Sequence, residues 1–143
     1  MFRRLTDHIL ASPQISLSDL SEAKALGVGL VINNRPEGES DDQVPGAEIE
    51  AAARALGMDY IAIPVTHAGF SGPQVEAMAA ALDRSAGKVL AYCRSGTRST
   101  LLWALAQASK GADLEEVTAQ AATAGYDVSP VRPLMDMLKG RSA

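Results

Sequence analysis

Three short apolar stretches limit what this chain can fold into. Residues 28–33, 60–65 and 88–93 are rich in Val, Ile, Leu or aromatic side chains and too short to be helices of their own. Each follows a helix-like stretch that stops at a glycine, Gly27, Gly57 and Gly87 in turn. Strands alternating with helices in this way build an α/β fold, a mostly parallel central sheet with helices on both faces. In such a sheet the ligand site lies outside the carboxyl ends of the strands. Those ends carry Asn33-Asn34-Arg35, Thr66-His67 and Cys93, and the topology alone predicts that they converge.

Punctuation marks the helices. Residues 18–26 begin with Asp19 and Glu22 in capping-box spacing, and residues 47–56 form a second helix. A third starts at Ser71, with Pro73 in its first turn and Gln74 three residues past the cap, and stops near Gly87. Residues 97–109 form a helix directly after the cysteine. Asp113 with Glu116 opens another that closes at Gly125, and Pro133 starts a last one reaching residue 139. Residues 9–15 read as an edge strand interrupted by Pro13. With no repeat, linker or low-complexity stretch, residues 1–143 read as one catalytic domain.

The net charge of −4, without a lysine-rich face, argues against a general nucleic-acid binder. No apolar run approaches the ~20 residues of a membrane helix. The basic start, Met1-Phe2-Arg3-Arg4-Leu5, is not followed by the apolar core of a secretory signal. A single cysteine cannot form an internal disulfide, nothing has metal-ligand spacing, and no cofactor is implied. A cytoplasmic protein is the expectation.

Chemistry concentrates in Cys93-Arg94-Ser95-Gly96-Thr97-Arg98-Ser99, where an apolar strand ends and a helix begins. A sulfur there faces the unpaired N–H groups and positive dipole end of the helix. Gly96 permits a backbone conformation in which successive N–H groups point inward, and Arg98 is the nearest strong cation able to complete an anion cradle. Together these favour thiolate over thiol, and thiolate is the nucleophile. A lone cysteine is otherwise most simply a small buried hydrophobe.

The stretch Tyr92-Cys93-Arg94-Ser95-Gly96-Thr97-Arg98-Ser99 closely resembles the active loop of single-domain rhodaneses, which carry sulfur as a cysteine persulfide. The remaining frame resembles a dual-specificity protein phosphatase, in Gly27-Val28-Gly29-Leu30-Val31-Ile32-Asn33, in Met58-Asp59-Tyr60-Ile61-Ala62-Ile63-Pro64-Val65, and in Gly125-Tyr126 with Pro130. Taken with the cysteine loop, Val31-Ile32-Asn33-Asn34-Arg35-Pro36-Glu37 is similar to a bacterial family, the beta-lactamase-hydrolase-like phosphatase-like domain, over residues 9–138. That resemblance implies a compact tyrosine-phosphatase-like fold. It matches Cys93 to the nucleophile, Arg98 to the oxyanion-binding arginine and Ser99 to a hydroxyl that hydrogen-bonds the departing sulfur.

Three departures from the phosphatase pattern have physical content. Four residues separate Cys93 from Arg98 where tyrosine-type phosphatases have five, so the cradle is smaller and offers one fewer inward N–H. Tyr92 stands where those enzymes have histidine. Val65-Thr66-His67-Ala68-Gly69 carries no carboxylate where they have an aspartate general acid, a loss typically worth 10²–10⁴-fold. The whole-chain frame points to phosphomonoester hydrolysis through a phosphocysteine at Cys93. The loop points to sulfur transfer through a Cys93 persulfide, and a non-catalytic phosphate- or sulfate-binding module is the third reading.

Partners follow from these readings: a small anionic or phosphorylated substrate, or a sulfur donor or acceptor thiol, and neither nucleic acid nor membrane. His67, at the end of the second strand, is a candidate proton donor because imidazole exchanges protons near neutrality. Arg94, Ser95, Gly96 and Thr97 are the candidate anion-binding loop, with Arg35 at its rim. The segment after Arg35 reads as a solvated, mobile loop in which Glu39 or a neighbouring aspartate could supply the missing proton.

Overall fold

The computed structural model describes residues 2–142. The strands are β1 (Arg3–Arg4), β2 (Ile9–Ser12), β3 (Val28–Asn33), β4 (Asp59–Ala62) and β5 (Lys88–Tyr92). The helices are α1 (Asp19–Ala25), α2 (Gly46–Ala55), α3 (Gly72–Arg84), α4 (Thr97–Ser109), α5 (Leu114–Thr123) and α6 (Arg132–Ser142), with a 3-10 turn at Ser129–Val131 before the last. They form one five-stranded sheet in the order β1-β2-β5-β3-β4, parallel except for β1, as the alternation of elements predicts.

Period-two alternation divides each inner strand between two cores. Val89 and Ala91 of β5 face the layer of α3, α4, α5 and α6, whereas Leu90 and Tyr92 face α1 and α2. In β3 a bulge at Gly29 shifts the register, so Val28 and Leu30 take opposite faces instead of the same one. Helix α4 is apolar nearly all round and buried between the sheet and α3, α5 and α6, with Trp103 enclosed. Truncating Trp103 would cost about 3–5 kcal/mol. A rigid α4 matters because its first turn is one wall of the site.

Four sequence expectations need correction. The N-terminal strand is not an edge: β2 lies between β1 and β5, and stops at Ser12, just before Pro13. The reciprocal pair at the start of α1 is Ser16 with Asp19 rather than Asp19 with Glu22: Ser16 N–H donates to Asp19 Oδ2 at 2.8 Å and Asp19 N–H to Ser16 Oγ at 3.3 Å, and the helix itself begins at Asp19. Strand β4 ends at Ala62 because Pro64 has no N–H, yet Ile63 and Val65 still donate to the carbonyls of Asn33 and Asn34. The segment after Arg35 is tied down rather than loose. Glu39 N–H donates to Gln43 Oε1, Gln43 Nε2 to Pro36 O, and Gly46 N–H to Glu37 Oε1, each at 2.9 Å. The caps expected at Ser71 and Asp113 are formed.

Candidate active site

Cys93 follows β5 directly and is wholly buried. Gly96, at the N-cap of α4, has φ of 91°, and its N–H donates to Cys93 Sγ at 3.1 Å. Only glycine fits there: the angle disfavours any side chain, and a Cβ would lie 2.1 Å from the Tyr126 hydroxyl. The loop carbonyls are held from outside. Gln14 N–H donates to Arg94 O at 3.2 Å, and the Tyr126 hydroxyl to Ser95 O at 3.2 Å. Thr97 N–H is taken by Ser95 Oγ at 3.3 Å. Among the described residues no acceptor takes the N–H of Ser95, Arg98 or Ser99, so the first turn of α4 keeps free donors for an anion. Arg94, Ser95 and Thr97 are exposed and Gly96 is buried.

Arg98 is oriented by Glu39. Arg98 Nη1 donates to Glu39 Oε2 at 2.6 Å and to Val65 O at 2.7 Å, and Nη2 donates to Glu39 Oε1 at 2.8 Å. A guanidinium has five N–H bonds, and these contacts consume three. The two left, on Nε and Nη2, form an adjacent pair able to grip two oxygens of one anion. The Arg98 hydrogen bond holds the Glu39 carboxyl at about 2, with Arg35 assisting against the opposing effect of burial. Glu39 is therefore a carboxylate at neutral pH and has no proton to donate, contrary to expectation.

Arg35 is buried behind Glu39 rather than standing at the rim, with 4% of its surface exposed. Its Nε donates to Glu39 Oε1 at 2.9 Å, Nη1 to Gln14 Oε1 at 3.0 Å and Nη2 to Ser40 Oγ at 3.1 Å. Ser99, in the first turn of α4, donates its hydroxyl to Asn34 Oδ1 at 2.7 Å, so its proton points away from sulfur in this state. Asn34 also donates to Ile63 O at 2.9 Å, bolting β3 to the chain leaving β4. His67 is exposed in the turn that follows Val65, and no described residue hydrogen-bonds its ring. Tyr92 turns into the α1/α2 core, where its buried hydroxyl has no hydrogen-bond partner among the described residues and burial raises its pKa far above the usual phenol range.

The structure thus holds Cys93, Gly96, Arg98 and Ser99 at one sheet end, and His67 follows closely in the chain on Val65, the acceptor of Arg98. Sequence reasoning placed Asn34 at a converging strand end without giving it a role, missed Gln14, and did not foresee that Tyr126 touches the loop. No group of three or more His, Cys, Asp or Glu among the described residues is placed to hold a metal, and no described helix is long and apolar enough to cross a membrane.

Residues 1–110 match the model of the phosphatase-like domain of beta-lactamase hydrolase-like protein. A beta-lactamase hydrolase-like protein of Xylella fastidiosa is 32% identical over 126 residues, 87% of this chain and 29% of that protein, so the chain spans under a third of the curated relative's length. A candidate phosphatase from Neisseria meningitidis superposes with a TM-score of 0.83 at 31% identity, covering 95% of this chain and 96% of the other. TpbA from P. aeruginosa, solved in complex with pTyr, has the same tyrosine-phosphatase-like fold, with a TM-score of 0.68 at 18% identity over 99% of this chain and 89% of its own.

Proposed function

We propose that this chain, which belongs to the beta-lactamase hydrolase-like phosphatase-like domain family, is a cysteine-dependent phosphatase-like enzyme that hydrolyses phosphomonoesters. One observation carries the proposal: Cys93 Sγ already accepts the Gly96 N–H beside an Arg98 whose free edge is set for two oxygens. The Cys93 thiolate attacks phosphorus, the S–P bond forms and the ester P–O bond breaks. The free N–H groups of the loop and Arg98 hold the charge that develops on the phosphoryl oxygens. The leaving oxygen takes its proton from His67 or water, which favours esters of acidic alcohols such as phenols. Water then attacks the phosphocysteine and releases phosphate, while Ser99, turned from Asn34, steadies the departing thiolate. The pTyr bound by TpbA supports a phosphorylated substrate. Arg94 draws the anion in from outside, and the whole covalent centre lies within this chain.

A second reading rests on the same loop. With four residues between Cys93 and Arg98, the Gly96 N–H on sulfur, and no protonated carboxyl at hand, the cradle suits a single sulfur atom. Cys93 thiolate would take the outer sulfur of thiosulfate, releasing sulfite, and pass it to cyanide or an acceptor thiol. No acid is needed for that exchange. Intact-protein mass spectrometry after exposure to an aryl phosphate, and separately to thiosulfate, decides the matter. A phosphoryl adduct that Cys93→Ser abolishes supports the phosphatase. A sulfur adduct alone favours the transferase, and anion binding with neither adduct nor turnover refutes both.

A further inference from the structure

The carbonyls that ring the cysteine loop decide where its N–H groups point. A trans peptide is planar, so each C=O and the next N–H point in opposite directions. Gln14 N–H holds the Arg94 carbonyl outward, which turns the Ser95 N–H inward. The Tyr126 hydroxyl holds the Ser95 carbonyl outward at 3.2 Å, and the consequence is visible in the next residue, whose N–H meets Cys93 Sγ at 3.1 Å.

We propose that Tyr126 is a positioning residue for the nucleophile: by anchoring the Ser95 carbonyl it keeps the Gly96 N–H on the sulfur of Cys93. The tyrosine is itself held. Its N–H donates to Ala121 O at 2.9 Å, and its ring lies 5.6 Å from the Arg3 guanidinium. Arg3 Nη1 in turn donates to Ala124 O at 3.0 Å, so β1 buttresses the anchor from the sheet edge. The phenol oxygen also occupies the space that a side chain at Gly96 would need, which makes tyrosine and glycine a matched pair. Without the hydroxyl, the 95–96 peptide is free to rotate and the thiolate loses a charge-assisted hydrogen bond.

The inference rests on Cys93 being the nucleophile but on neither choice of substrate. The test is the rate of Cys93 alkylation by iodoacetamide across pH, on the intact chain. In Tyr126→Phe the pH of half-maximal rate should rise by about one unit, a tenfold loss of thiolate at lower pH. The melting temperature should barely move, because the lost hydroxyl is on the surface side of the loop. Replacing Tyr126 by 4-aminophenylalanine restores a donor and should bring the profile back. A wild-type profile like that of a free thiol sinks the enzyme reading itself. A wild-type profile displaced from the free thiol but unchanged in Tyr126→Phe overturns the role of Tyr126 alone. Loss of folding in Tyr126→Phe with an unrescued profile in the amino variant overturns it as well.

Discussion

Glu39 grips Arg98 end-on, its two oxygens 2.6 and 2.8 Å from Nη1 and Nη2. The carboxylate takes the outer edge of the guanidinium and leaves the side edge, Nε and Nη2, without an acceptor among the described residues. It also joins the loop to Arg35 and Gln14, so that Arg94 and Arg98 are tied to the same scaffold from two sides. Glu39→Gln keeps the shape, but its NH2 group cannot accept, so one of the two guanidinium nitrogens faces a donor instead of an oxygen. We expect kcat/KM to fall about ten- to a hundredfold with the fold intact, the cost of one or two charge-assisted hydrogen bonds. Steady-state kinetics with an aryl phosphate and with thiosulfate and cyanide checks this. An undiminished rate would mean that Arg98 needs no such support.

Replacing Arg98 by lysine keeps the charge and loses the planar fork. Arg98→Lys should abolish most activity, because one ammonium cannot satisfy Glu39, Val65 O and a substrate oxygen pair together. Arg94→Lys, on an exposed side chain, should cost only a few-fold. Equal losses at the two positions would assign the cradle to the wrong arginine.

Acid should weaken the protein through Glu39. Its carboxyl is held at about 2, below the ordinary 4.5, so the unfolded chain binds this proton more readily than the folded one. The stabilisation is fully present above about pH 4.5 and is lost as pH falls towards 2, on the order of 3 kcal/mol at most. Urea unfolding at pH 7, 4 and 3 should therefore show a steeper acid loss in the wild type than in Glu39→Gln. Parallel curves would show that the pair contributes nothing to folding.

The sheet was legible because its inner strands are buried on both faces and read as continuous apolar runs. Strand β1 was not: Arg3 and Arg4 have no pattern, and their place follows only from pairing with Leu10 and Ala11. Cys93, Gly96 and Arg98 were legible because they are contiguous in the chain. Gln14, Asn34 with Glu39, and Tyr126 come from three separate segments, and their roles exist only once the chain is folded. Arg35 was expected at the rim, facing substrate, and lies instead buried against Glu39. Nothing in the chain's local pattern shows that Glu39, four residues on, lies between it and the loop.

Ser99 offers a way to separate the two halves of the proposed reaction. Its hydroxyl donates to Asn34 Oδ1 at 2.7 Å, both residues being buried. Ser99→Ala should cost about 1–3 kcal/mol of stability by leaving that oxygen unpaired. If the hydroxyl also steadies the departing thiolate, adduct breakdown slows more than adduct formation, and a burst of phenol precedes a lowered steady rate. A uniform slowing without a burst would confine Ser99 to holding Asn34.

Loop length distinguishes the two chemistries. Between Cys93 and Arg98 lie four residues, and the Gly96 N–H already points at sulfur. One glycine inserted between Gly96 and Thr97 would widen the cradle and add an N–H at the start of α4 without entering the buried body of that helix. If the native cradle is sulfur-sized, the inserted variant should gain phosphate-ester hydrolysis relative to thiosulfate-to-cyanide transfer, because it could surround a tetrahedral group. If the native chain is the phosphatase proposed above, its Arg98 edge is already set for two oxygens by Glu39. The extra residue would then displace Arg98 from that carboxylate and lower the hydrolytic rate by tenfold or more, about what a misplaced catalytic group costs. Both activities are measured on both proteins, with circular dichroism to establish that each is folded. A fall in hydrolysis with no transfer by either protein leaves the sulfur reading without support, and a rise in hydrolysis removes the phosphatase assignment from the native loop.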